Sequence, residues 1–438
     1  MSFIIDKQSL DELNILGKFR QGSVYQLFDR VRTRGGEKLL EKMYRNPSTD
    51  PSVINARTEI FGYFRDASLA FPFDPGQVLL MQEYTDAAGR QGRLGALASV
   101  VVQKTLSVLA HDDRFKVRIQ GLQATLIVLK RCYALVENLL QQPGPFRERV
   151  QSVHRLLTNK EMAELLEVDI YTNISISNIA RFDCMIRNTQ REACIAILDF
   201  IFECDVNIAV GAVAAQPGFN FAQALPAGRN MLEADNLRHP CVDKAVGNNI
   251  SLRQDHNVVF LTGANMAGKS TWMKSVGIAV YLAHTGFPIA ADAMVFSVRE
   301  GIFSSINVAD NISLGYSHFY AEVVRVREAA EAAATGRHLL LMFDELFKGT
   351  NVKDAYDGTL AVTEGFAEYQ HCLFIVSTHI IEVGSALKKY PNIQFAFMPT
   401  VMEGAHPRYT YRLKEGITED RQGMMIIRNE GILELIRS

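Results

Sequence analysis

The chain has 438 residues, 48% of them hydrophobic and 21% charged, with a net charge of −2. That length exceeds one ordinary hydrophobic core and predicts two or three domains, and the composition is neither disordered nor fibrous. Neither half carries the basic excess of a simple electrostatic nucleic-acid binder, so any DNA contact would need local patches or an encircling geometry.

The opening MSFIIDKQSLDELN has acids where a signal peptide has basic residues before an apolar core. Two apolar stretches, 94–110 and 193–215, are interrupted by Gln103 and Lys104 and by Asp199, Glu203 and Asp205. Neither is a clean run of about 20 apolar residues, so no membrane span is expected. The six cysteines form no C-x-x-C pair and no zinc-ligand spacing with histidine. Reduced thiols in a cytoplasmic protein follow.

The first half reads as mostly helical. Ile119, Leu122, Leu126, Leu129, Tyr133, Val136 and Leu140 alternate steps of three and four, an a/d heptad seam ended by Pro143-Gly144-Pro145. Such a seam serves either a long lever or one core-facing helix of a bundle. A second helical stretch is predicted from Pro145 to about Glu167. A third is predicted from Ser177 to Ala214, broken by Gln216-Pro217-Gly218. After Leu232 the pattern changes. Short apolar runs at Val258–Thr262, Leu339–Phe343 and Leu373–Ser377 alternate with helix-like stretches at Lys269–Thr285 and Phe319–Ala334, which predicts a parallel sheet in an α/β domain. The boundary falls near residues 225–232.

Gly263-Ala264-Asn265-Met266-Ala267-Gly268-Lys269-Ser270 follows an apolar strand directly and precedes a helix directly. Its glycines let backbone N–H groups wrap phosphates, and the helix N-terminus adds positive potential. Lys269 would bridge β- and γ-oxygens, and Ser270 would ligate Mg²⁺. These residues, with Thr271, form the expected ATP-binding loop. HLLLMFDEL ends a second strand in Asp344, placed to hold the hydrated Mg²⁺, and Glu345, placed as general base. FIVSTHI ends a third strand at His379, where a γ-phosphate or attacking water would be met. The expected catalytic set is Lys269, Glu345 and His379.

This order of parts resembles the ABC-type ATPases, and its details resemble the MutS family of DNA mismatch-repair ATPases. TGANMAGKSTWMKSVG is similar to that family's phosphate loop, including Asn265 and Met266, and LRHP at 237–240 to the segment opening its ATPase domain. ADNISLGYSHFYAEV resembles the family signature, keeping Asp310, Gly315, Ser317, Phe319 and Glu322. FDELFKGTNVKDAYDG resembles the stretch after the second strand, keeping Gly349, Thr350, Asp357 and Gly358. The likeness covers roughly 237–430; a weaker one upstream follows the same order and favours the lever for the heptad helix. It implies a multidomain chain: a helical core/lever domain over 1–230, then an α/β P-loop NTPase domain of ABC type over 231–438.

The departures shape the expected function. The family's Phe-x-Glu mismatch reader and connector domain are not matched, and Phe146-Arg147-Glu148 repeats the tripeptide only at a helix start. The C-terminal dimerisation tail is also unmatched. In the signature, Leu314 stands where serine is usual, leaving Ser313 or Ser317, beside Gly315, for the contact with a second copy's γ-phosphate. The resemblance thus implies a homodimeric, Mg²⁺-dependent ATPase that changes lever grip on mismatched or branched DNA. A nucleotide-gated scaffold acting on a protein partner is the alternative.

Overall fold

The computed structural model describes residues 3–17, 22–87, 93–109, 113–169, 174–306, 318–403, 406–418 and 435–436. By internal contacts the chain divides into two units: residues 29–45 with 59–212, and residues 1–28 and 46–58 with 213–438. The first residues therefore group with the C-terminal half and not with the helices that follow them. They form β1 (Ile4–Ile5) and α1 (Lys7–Glu12), whose N-cap Asp6 accepts from the Ser9 N–H at 2.7 Å.

The helical unit holds α2 (Arg34–Tyr44), most of α3 (Pro51–Ala67), α4 (Pro75–Asp86), α5 (Arg93–Leu109) and α6 (Arg114–Leu140). It continues through α7 (Arg147–Leu157), α8 (Lys160–Glu167), α9 (Ile176–Cys184) and most of α10 (Arg191–Ala214). The heptad seam lies on α6. Leu122, Leu126, Leu129 and Val136 are fully buried, and Ile119, Tyr133 and Leu140 pack on the same cluster. α6 makes its main contacts with α4 and α7, so the 3-4 spacing is satisfied inside the unit. The helix expected over 145–167 is two. Thr158 ends α7, and Asn159 restarts the chain by accepting the Met162 N–H at 2.9 Å. Likewise a π turn, Met185–Thr189, separates α9 from α10.

Two buried carboxylates organise this unit. Asp205 accepts the backbone N–H groups of Arg32 and Thr33 and the Thr33 hydroxyl at 2.7–3.1 Å, fixing the start of α2. Asp183 accepts the Tyr84 hydroxyl at 2.6 Å and lies 3.4 Å from Arg187 and 3.8 Å from Arg118. Burial, with Asp183 beside it, holds the Tyr84 hydroxyl pKa well above its usual value.

The other unit begins its second half with β2 (Gln223–Leu225), β3 (Leu232–Leu237) and β4 (Asn248–Leu252). Then come β5 (Val258–Gly263), α11 (Lys269–Thr285), β6 (Ala293–Ser297), β7 (Gly301–Ser305), α12 (His318–Ala334), β8 (Leu339–Asp344) and α13 (Val352–Ala367). β9 (Leu373–Thr378), α14 (Ile381–Leu387), β10 (Ile393–Met398), β11 (Thr400–Glu403), β12 (His406–Tyr409) and β13 (Lys414–Glu415) complete it. Seven strands form one sheet in the order β1-β7-β8-β9-β5-β10-β13, parallel except for the β10–β13 pair. A four-stranded sheet, β2-β6-β3-β4, and the hairpin β11–β12 accompany it. β5 and β9 are buried at every position, as central parallel strands covered on both faces must be. Phe343, Phe366 and Phe374 stack in turn at 5.3 and 5.0 Å between sheet and α13. Among the described residues no helix is long and apolar enough to cross a membrane.

Candidate functional site

β8, β9 and β5 lie side by side, and their carboxyl ends register: Asp344 beside Ser377, and Thr262 beside Thr378. Backbone geometry then makes a pocket after β5. Gly263 has φ +145° and Gly268 +102°, conformations open to glycine, and Met266 adopts +69°. A Cβ on Gly268 would also stand 2.9 Å from the Tyr411 ring. The chain therefore coils tightly before the 17-residue helix α11, and the exposed Met266 caps the coil. Such a turn, opening at a helix N-terminus, can receive a phosphate.

Lys269 is buried, and its Nζ donates to the carbonyls of Gly263 at 2.9 Å and Ala264 at 3.1 Å. Burial lowers its pKa, opposed by the nearby carboxylates of Asp344 and Glu345. The Ser270 hydroxyl donates to Asp344 Oδ2. Asp344 Oδ1 is buried with no hydrogen-bond partner. A carboxylate with an uncommitted buried oxygen beside a hydroxyl is an all-oxygen donor set that fits a hydrated divalent cation such as Mg²⁺. Glu345 follows in the left-handed region at φ +54°, its N–H held by the Ser377 carbonyl at 2.8 Å. That strained turn leaves its side chain among those lining the cleft.

The cleft has a volume of about 690 Å³. Asn265, Met266, Gly268, Lys269, Ser270, Thr271, Asp344 and Glu345 line it together. Gly263, Ala264 and Ala267 form the loop behind them. His379 stands exposed one residue beyond β9, on the same sheet edge but outside the cleft lining. Ser313, Gly315 and Ser317 lie outside the described residues.

The far wall was not expected from the residues themselves. It comes from His239, the loop Val242–Val246, Trp272 and Tyr411. Burial, with Lys274 nearby, pushes the His239 pKa down to about 4, and its Nδ1 accepts the Cys241 N–H at 3.2 Å. Asn248 ties the wall together, donating to the Tyr411 carbonyl at 2.9 Å and accepting from the Leu413 N–H at 2.7 Å. Only the LRHP likeness hinted at any of this.

The polar end of the cleft and its partly aromatic far wall lie together at the carboxyl edge of a parallel sheet. Residues 259–436 match the family model of MutS domain V. Among curated proteins the chain is similar to DNA mismatch repair protein MutS of Pseudothermotoga lettingae, 27% identical over 62% of this chain and 32% of the relative. It is similar to DNA mismatch repair protein spellchecker 1 of Drosophila melanogaster, 26% identical over 52% of this chain and 25% of the relative. A MutS of Listeria monocytogenes is 29% identical over 43% of this chain and 22% of the relative. The chain is MutS-like, and it spans about a third or less of the length of these relatives.

Proposed function

We propose that the chain is a MutS-type ATPase that hydrolyses ATP at a site completed by a second copy and so changes the grip of its helical lever on mismatched, branched or distorted DNA. The observation carrying this reading is the convergence of Lys269, Ser270, Asp344 and Glu345 at one end of a single cleft. The reading takes the sheet unit as an ABC-type P-loop NTPase domain. In it, phosphate oxygens replace the Gly263 and Ala264 carbonyls on Lys269 Nζ, exchanging neutral acceptors for charged ones and strengthening each bond. Loop N–H groups and the α11 N-terminus hold the remaining charge. Mg²⁺, held by Ser270 and Asp344, supplies further neutralisation of the phosphates. Glu345 takes the proton of the attacking water, and His379 donates toward the γ-phosphate. Ser313, Gly315 and Ser317 reach the site of a second copy. DNA enters the reading through the relatives, which are named for DNA mismatch repair.

The net charge of −2 favours a second reading, a nucleotide-gated scaffold whose helical unit contacts a protein. ATP turnover measured alone, and with duplex, mismatched and four-way-junction DNA at two salt concentrations, separates the two. Stimulation that fades with salt supports the DNA reading, and turnover indifferent to every DNA supports the scaffold. Lys269→Ala is expected to weaken ATP binding about 100-fold, the loss of charge-assisted hydrogen bonds. Unchanged affinity in that variant would remove the ATP reading altogether.

A further inference from the structure

α1 reaches the wall of the nucleotide cleft from the other end of the sequence. Glu12 is buried, and its Oε2 accepts the Ile306 N–H at 2.9 Å and the Ser304 hydroxyl. Ile306 itself lines the cleft. One turn earlier, the Ser9 hydroxyl accepts the Ser304 N–H at 2.9 Å and an Arg325 N–H at 3.0 Å. Arg325, on α12, is buried; it pairs with Asp6, donates to the Ser304 carbonyl at 2.7 Å and lies 3.6 Å over the Phe303 ring.

These bonds fall at two chosen places. One is the carboxyl end of β7, where the strand gives way to the cleft. The other is the first half of α12, the next element in the chain. Residues 307–317, which include Ser313, Gly315 and Ser317, join these two anchors in sequence. A buried carboxylate held by neutral donors is costly compared with an apolar side chain of similar size, so stability alone is a poor reason for Glu12. What the carboxylate supplies is a directional acceptor for a particular backbone N–H beside the cleft.

We propose that Asp6, Ser9 and Glu12 form a positioning brace that fixes Ile306 and Arg325, and thereby sets the rate of ATP turnover without contributing to nucleotide affinity. The proposal rests on the ATPase reading above. Glu12 and Ser9 touch no reacting atom; they act through the backbone at 304–306 and through α12.

The test compares steady-state ATP turnover with the affinity for a fluorescent ATP analogue in the presence of Mg²⁺, using the full chain. Glu12→Ala should lower kcat about tenfold while the dissociation constant stays within about threefold. Glu12→Gln keeps an acceptor oxygen and should restore most of the rate. Should Glu12→Ala fail to fold, Ser9→Ala, which removes one small acceptor from the same brace, should lower kcat about threefold at unchanged affinity. Wild-type kcat in a folded Glu12→Ala or Ser9→Ala variant would overturn the brace and leave the ATPase reading standing. Equal losses of affinity and rate, or a Glu12→Gln variant no better than Glu12→Ala, would overturn it as well. Failure of the unaltered chain to bind the analogue would instead sink the ATPase reading.

Discussion

Asp205 and Asp183 of the helical unit and Asp344 at the end of β8 hold their carboxylates in opposite ways. In the helical unit Asp205 is saturated by three backbone and side-chain donor groups, and Asp183 accepts a tyrosine hydroxyl and lies beside two arginines. In the sheet unit Asp344 meets one serine hydroxyl and keeps a buried oxygen uncommitted. Desolvation penalises both arrangements, but only the first recovers the cost within the protein. A closed set of donors leaves no place for a ligand. An open acid at a strand end, next to a buried lysine and a glycine turn, is a place for a ligand.

Substitutions can break that contrast. Asp205→Ala strands several buried donors and should cost about 4 kcal/mol of stability, read as a lower urea midpoint. A loss under about 1 kcal/mol would mean the donors find water and the set is not closed. Asp344→Asn should behave in the reverse manner, lowering Mg²⁺-dependent ATP turnover about 100-fold while leaving the midpoint nearly unchanged. A large fall in stability there would assign Asp344 to the structural class.

A smaller effect concerns His284, fully buried on α11. Its Nδ1 meets the Val280 carbonyl at 2.7 Å and its Nε2 accepts the Arg299 N–H at 2.8 Å, so both nitrogens are committed to the neutral ring. Burial pushes its pKa down to about 4. The unfolded chain takes up the proton first as pH falls below about 6.5, so stability is full above that pH and is lost toward pH 4. The slope should be about 1.4 kcal/mol per pH unit from this group, checked by urea titrations at pH 7, 5.5 and 4.5. A flat profile would show that the folded protein accepts the charge. Smallest of all, Glu233→Ala at the largely solvent-exposed Arg253 pair should cost under about 1 kcal/mol and less in high salt.

The sequence made the core of the sheet readable because its central strands are apolar runs that end in small or polar residues: Thr262-Gly263, Asp344 and Ser377-Thr378. The predicted 258–262, 339–343 and 373–377 differ from β5, β8 and β9 by a single terminal residue each. The turn after β5 was legible for a related reason: positive φ favours glycine, and Gly263 and Gly268 are visible in the sequence. Other features depend on distant partners. Asn248 binds residues 163 and 165 positions further on, which no local pattern encodes. The split between α7 and α8 hinged on a capping asparagine within a helix-compatible stretch, and capping competes only weakly with helical periodicity. The heptad seam left lever and core packing equally open, since both demand the same spacing. β1, two isoleucines long, carries no strand signal of its own.

That short strand has a consequence for how the protein is made. Ile4 pairs with Gly301, so once synthesised the β1 segment must wait for roughly three hundred further residues before its place in the sheet exists. At about 5–20 residues per second, this is a delay on the order of 15–60 seconds. Residues 59–212 meanwhile contain their own apolar cluster and emerge as a contiguous stretch. Folding is thus expected to run from the middle outward, with β1 docking only after β7 has been made.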